Sequence, residues 1–119
     1  MSVDSLAFDS VLDLCRNQHR RIVLGALTGE QQSLTLDDLT EVIITHEQQP
    51  PLTETSDDEL AEIRLSLYHV HLPKLVSAGL ITYDSELQLV DPTEKFDRTQ
   101  PTLTTILNAD PSLEAPMKQ

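Results

Sequence analysis

With 119 residues and 39% apolar content the chain is sized for one ordinary domain, and at 3% aromatic its core must be mostly Leu, Ile and Val. Twenty acids against eight Lys and Arg leave a net charge of −12, which excludes broad attraction to nucleic acid: any DNA contact needs a local basic patch or enough salt to screen the repulsion. No apolar run approaches the roughly 18 residues of a bilayer span, no basic-then-apolar leader opens the chain, and a cytoplasmic protein without membrane contact is expected.

Ser5 is expected to cap a first helix whose apolar face is Leu6, Phe8, Val11, Leu12 and Cys15. Cys15 is the lone cysteine, cannot close an internal disulfide, and reads as a small core residue. Arg16-Asn17-Gln18 interrupts the pattern. His19 to Leu27 restarts it, with Ile22, Val23, Ala26 and Leu27 inward and an end around Thr28-Gly29. Arg16, His19, Arg20 and Arg21 form the one basic cluster of the sequence. The readings that stay open for it are a solvated helix start, arginines paired with nearby carboxylates, or phosphate contact through the guanidinium forks of Arg20 and Arg21.

Gln31 to Thr35 predicts a short strand that pairs with a later hairpin. Thr35 and Asp38 resemble a capping box and open a helix from about Leu36 to Glu47. Its inner side is Leu36, Leu39, Val42, Ile43 and His46, the last expected near the helix end and not as a metal ligand. Gln48 to Thr55, with Pro50-Pro51, reads as a loop. Ser56 then caps a helix whose first turn is Asp57, Asp58 and Glu59. Acids suit that end of the helix dipole, but they stand where a recognition helix would approach phosphates.

In this long helix Leu60, Ile63, Leu67, Val70, Leu75 and Ala78 recur at helical spacing, and Ala61, Leu65, Tyr68, Leu72 and Val76 lie beside them. So wide an apolar arc predicts a central helix contacted from more than one direction. Pro73 predicts a kink or a division of the helix, placed between Val70 and Lys74. His69 and His71 are two apart, point to opposite sides of a helix, and predict no metal chelate. Gly79 ends the helix in a left-handed conformation. Ile81-Thr82-Tyr83 and Leu87 to Val90 then flank Asp84-Ser85-Glu86 as a hairpin, whose tip carries acids where a DNA-gripping wing needs cations. From Thr93 the pattern weakens. Pro101 predicts the start of a short helix at 101–108, and 109–119 reads as a disordered tail.

The fold class predicted is mostly α with a small β-hairpin, a winged helix-turn-helix over residues 5–92 followed by a C-terminal extension over 93–119. No Gly-rich phosphate loop, HExxH, CxxC or nucleophile elbow is present, so neither an enzyme nor a cofactor is expected.

RNQHRRIVLGAL at 16–27, TLDDLTEVI at 35–43 and LYHVHLPKLVSAGLITYD at 67–84 resemble a winged-helix domain of unknown function found mainly in haloarchaea and distantly similar to ArsR-type regulators. The third stretch is the most specific, through Tyr68, His71, Leu72, Pro73, Lys74, Leu75, Ala78 and Gly79. The resemblance implies a winged-helix fold, a DNA-binding transcriptional regulator and a high-salt cytoplasm. There the Debye length shrinks to about 3 Å near 1 M salt and dense carboxylates repel little. The chain lacks the metal-binding cysteine pair of ArsR-type repressors, so metal sensing is not implied.

The function expected is regulation through double-stranded DNA, with Arg20 and Arg21 on phosphate and Arg64, Ser66, His69 and Lys74 near the groove. The alternative is a winged-helix protein-interaction module that binds no DNA. An acidic DNA mimic or viral accessory protein is a further reading of the charge. The apolar excess of the long helix predicts a homodimer, with the first helix and Pro101 to Asn108 at its interface.

Overall fold

The computed structural model describes residues 7–30, 33–48 and 57–111. The Ser5 cap, Leu6, the Pro50-Pro51 loop, the Ser56 cap and the tail beyond Pro111 lie outside the described residues.

Helix α1 (Phe8–Leu14) makes two turns, so only a narrow stripe of it reaches the interior. Val11, Leu14 and the following Cys15 are buried, whereas Phe8 and Leu12, expected on the same face, are exposed. Asn17 caps α2 (Gln18–Glu30): its side-chain oxygen accepts from the Arg20 backbone N–H at 3.2 Å. The interrupting residues of the sequence are therefore a turn and a cap. Ile22, Val23, Leu24 and Leu27 of α2 are all buried, because α3 and α6 pack on it from different sides.

Strand β1 (Leu34–Thr35) leads directly into α3 (Leu36–Gln48). The capping box forms in both directions: the Asp38 backbone N–H donates to Thr35 Oγ1 at 3.0 Å, and the Thr35 N–H donates to Asp38 Oδ2 at 3.1 Å. Leu36, Leu39, Ile43 and Ile44 carry α3 into the core. His46 is half-buried near the helix end, its Nδ1 3.1 Å from the Val42 carbonyl.

The long helix runs as α4 (Asp57–Ser66), a π-turn at Leu67–His71 and α5 (Leu72–Ser77). The division expected near Pro73 takes the form of this π-turn, whose junction with α5 at His71-Leu72 falls between Val70 and Lys74, and the chain stays helical through it. Pro73 lacks an N–H, and its ring crowds the carbonyl four residues back; the widened turn just before it accommodates both without ending the helix. The Leu72 N–H reaches the Leu67 carbonyl, the five-residue step of a π-turn. The extra residue also resets the phase. Ile63, Leu67, His71 and Leu75 are all buried at four-residue intervals, where an α-helix overshoots a full turn by about 40° per step. Val70, expected inward, is exposed, and His71 takes the inward place.

The helix ends in a Schellman turn. Gly79 has φ +83°, its N–H bonds the Val76 carbonyl at 2.9 Å, and the Leu80 N–H bonds the Leu75 carbonyl at 3.1 Å. Strands β2 (Ile81–Asp84) and β3 (Leu89–Pro92) follow, and β1 adds to β3 to give a three-stranded antiparallel sheet of order β1-β3-β2. Tyr83 pairs with Val90 and Leu34 pairs with the same residue from the other side. The hairpin loop is Ser85 to Gln88; it starts one residue later and ends two residues later than the expected Asp84 to Glu86, and Gln88 adopts a left-handed φ of 54°. The Asp84 carboxylate closes it by accepting from the Glu86 and Leu87 N–H groups.

Helix α6 is the largest departure from expectation. It spans Glu94–Asn108 and not 101–108. Thr93 is its cap, accepting from the Phe96 N–H at 3.2 Å while its own N–H bonds the Leu80 carbonyl at 3.0 Å. Pro101 sits inside the helix on the exposed side, where the Asp97 carbonyl that loses a partner is also on the solvent face. Phe96, Leu103 and Leu107 enter the same core as α2 and α3.

Candidate nucleic-acid interface

In a chain of 20 acids, none lies between Ile63 and Tyr83. That stretch is the end of α4, the π-turn, α5 and the start of the hairpin, and its basic side chains are Arg64, His69, His71 and Lys74. Arg64 is half-buried. It pairs with Asp37 at the start of α3 and donates to Gln88 Oε1 at 3.0 Å, so it bridges α3 to the hairpin loop. Ser66 is half-buried, whereas His69 and Lys74 are exposed. The His69 ring meets the Tyr68 ring edge-on with centroids 4.9 Å apart.

Arg20 and Arg21 do not join this group. Arg20 is only 8% exposed; its Nε donates to the Leu14 carbonyl at 2.7 Å and its Nη1 lies 3.3 Å from His71 Nδ1. Arg21 pairs with Asp110 at 2.7 Å and donates to the Cys15 carbonyl at the same distance. Both forks therefore point to internal oxygen and nitrogen acceptors. A buried guanidinium stays charged, so those partners are what make its burial tolerable. Arg20 and Arg21 are thus held by internal partners, and the other four of the six residues expected at DNA all lie on the long helix.

His71, predicted only to form no chelate with His69, is a buried partner of Arg20. Burial, the Arg20 cation, His19 and Lys74 together lower its pKa from 6.5 to about 4, so the ring is neutral and can accept from Arg20. The signal was available in the four-residue spacing of Ile63, Leu67, His71 and Leu75. Burial likewise raises the Cys15 thiol pKa, with Arg21 and then Arg20 opposing, which fits a packed thiol.

The exposed side of the long helix carries large apolar side chains from Leu65 onward. Leu65, Tyr68, Val70 and Val76 are 42–55% exposed, so the arc that predicted a central helix is only partly covered. Between it and the hairpin lie two adjoining hollows of about 350 and 400 Å³, sharing Tyr68, Tyr83 and Ser85. The Tyr68 and Tyr83 rings meet edge-on at 6.0 Å. The Tyr83 hydroxyl is buried without a hydrogen-bond partner among the described residues, and burial is the main cause of its raised pKa.

A family model described as a domain of unknown function, DUF7344, matches residues 12–91. The chain belongs to that family. The match takes in α2, the long helix and the hairpin and stops before α6. No curated protein and no solved structure matches the chain. Among the described residues of this DUF7344 chain no group of three or more His, Cys, Asp or Glu could hold a metal ion, and no helix is long and apolar enough to cross a membrane.

Proposed function

We propose that this DUF7344 chain is a winged helix-turn-helix regulator, similar to ArsR-type regulators, that contacts double-stranded DNA in a high-salt cytoplasm. The order helix, strand, helix, long helix, hairpin supports the winged-helix reading, with β1 completing the sheet. Fold alone does not give function. The observation that carries the proposal is the acid-free stretch from Ile63 to Tyr83 in a chain of net charge −12. Lys74 and His69 face phosphates, and Arg64 and Ser66 lie beside the groove. Exposed Leu65, Tyr68 and Val76 give apolar contact, as a thymine methyl accepts, and such contact survives salt that suppresses counterion release. A second copy is expected on the exposed Phe8 and Leu12 of α1, so that two long helices address two half-sites.

The test is mobility shift of a random-sequence duplex pool at low and at multimolar KCl. Retained binding at high salt, abolished by Lys74→Glu with His69→Glu, supports the proposal. No shift at either salt sinks it.

The exposed apolar row also favours a second reading, a protein-interaction module without DNA binding. Asp84 and Glu86 at the hairpin tip and Asp57 to Glu59 at the helix start fit it better than they fit DNA. On that reading Leu65→Asp abolishes a defined protein complex while duplexes never bind.

A further inference from the structure

Arg20 and Arg21 are neighbours at the start of α2, and each reaches back to the end of α1. Arg20 Nε donates to the Leu14 carbonyl and Arg21 Nη1 to the Cys15 carbonyl, both at 2.7 Å. Each also reaches forward to a different element. Arg20 Nη1 meets His71 Nδ1, the last residue of the π-turn, and Arg21 Nε meets Asp110 just beyond α6. We infer that this corner couples the seating of α6 to the phase of the long helix, with Arg20 as the residue that positions the π-turn.

The physical argument has three parts. Leu14 and Cys15 are consecutive, so both guanidiniums are anchored on the same short turn between α1 and α2. Arg20 cannot shed its charge, and its burial leaves few alternative partners; if it moves, the His71 acceptor is stranded beside it. The π-turn holds one residue more than an α-helical turn. Its relaxation would turn everything beyond it by about 100° relative to α4, changing where Lys74 stands with respect to Arg64 and His69. Deletion or displacement of the Arg21–Asp110 pair is thus felt at the helix that is proposed to meet DNA. That consequence rests on the proposed function; the coupling itself belongs to the free protein.

The chain supplies its own probe. Tyr68 and Tyr83 are its only tyrosines, Trp is absent, Tyr68 lies within the π-turn, and the two rings are in contact. Tyrosine emission and amide exchange are measured on the full chain without DNA. Arg20→Gln is expected to change the emission and to speed exchange at Leu72, whose N–H makes the π-turn bond, about tenfold, the effect of losing one buried bond to a charged group. Asp110→Asn is expected to move both signals in the same direction, and the double variant to go no further than Arg20→Gln alone. Exchange at Ile43 in α3 is the control. Equal acceleration at Leu72 and Ile43 means general loosening and overturns the inference. So does an Asp110→Asn that leaves Leu72 untouched, or an additive double variant. Should Arg20→Gln not fold, Arg20→Lys, which keeps the charge and loses the fork, is read the same way. Because no DNA is present, failure here leaves the duplex-binding proposal standing, and the converse also holds.

Discussion

Removal of α6 should unfold the protein, although the family match ends before that helix. Phe96, Leu103 and Leu107 are 1%, 0% and 7% exposed and join the same buried cluster as Val11, Ile22 and Leu39. Burying one such side chain contributes about 1.5–3 kcal/mol, so the three contribute roughly 5–9 kcal/mol. Core residues left facing water add to the loss. A domain of this size has a net stability of about 5–15 kcal/mol, so a chain ending at Pro92 is left with little or none. Phe96→Ala is the milder form and should cost about 3–5 kcal/mol, transfer and cavity together. Urea unfolding at fixed salt, followed by circular dichroism, reads both. Cooperative unfolding of the 1–92 chain at the midpoint of the full chain would refute the reasoning and make α6 an appendage.

Gly79→Ala should lower stability by about 1–2 kcal/mol, because the left-handed φ of +83° strains any side chain and the new Cβ would sit 3.2 Å from Lys95 Cδ; an unchanged urea midpoint contradicts this. Thr35→Ala should cost about 0.5–2 kcal/mol by opening the capping box, with the loss read as fraying at the start of α3 in amide exchange. His71 is faced by Arg20 and His19 from α2 and by Lys74 from its own helix, and its folded pKa of about 4 lies below the ordinary 6.5. Its neutral form favours the fold. That stability is therefore full above pH 6.5 and falls as pH drops toward 4, by up to about 3 kcal/mol. His71→Leu should flatten that part of the pH–stability curve, and a slope identical to the parent's rules the cause out.

Local signals in the sequence placed the local structure. Thr35 with Asp38, Gly79, the interruption at Arg16-Asn17-Gln18 and the alternation around Ile81 to Val90 each fix a cap, a turn or a pairing within a few residues. What depended on distant partners was not legible. Pro73 and Pro101 are helix breakers by local chemistry. One is accommodated by a π-turn and the other by an exposed position on a helix anchored at Phe96. Whether Arg20 and Arg21 turn outward to phosphate or inward to carbonyls depends on where α1 ends relative to the long helix and α6. Nothing between residues 16 and 21 encodes that. Val70 and His71 exchange places because the π-turn adds a residue, a change announced only by the four-residue spacing of Ile63, Leu67, His71 and Leu75.

The central claim is that the second half of the long helix meets duplex DNA. Amide-shift mapping of the labelled protein against a random-sequence duplex pool in high KCl tests it residue by residue. The account predicts perturbations concentrated between Arg64 and Ser77 that saturate with added duplex. Shifts confined to α1 and α6, or a spectrum unmoved at every salt concentration, would contradict it.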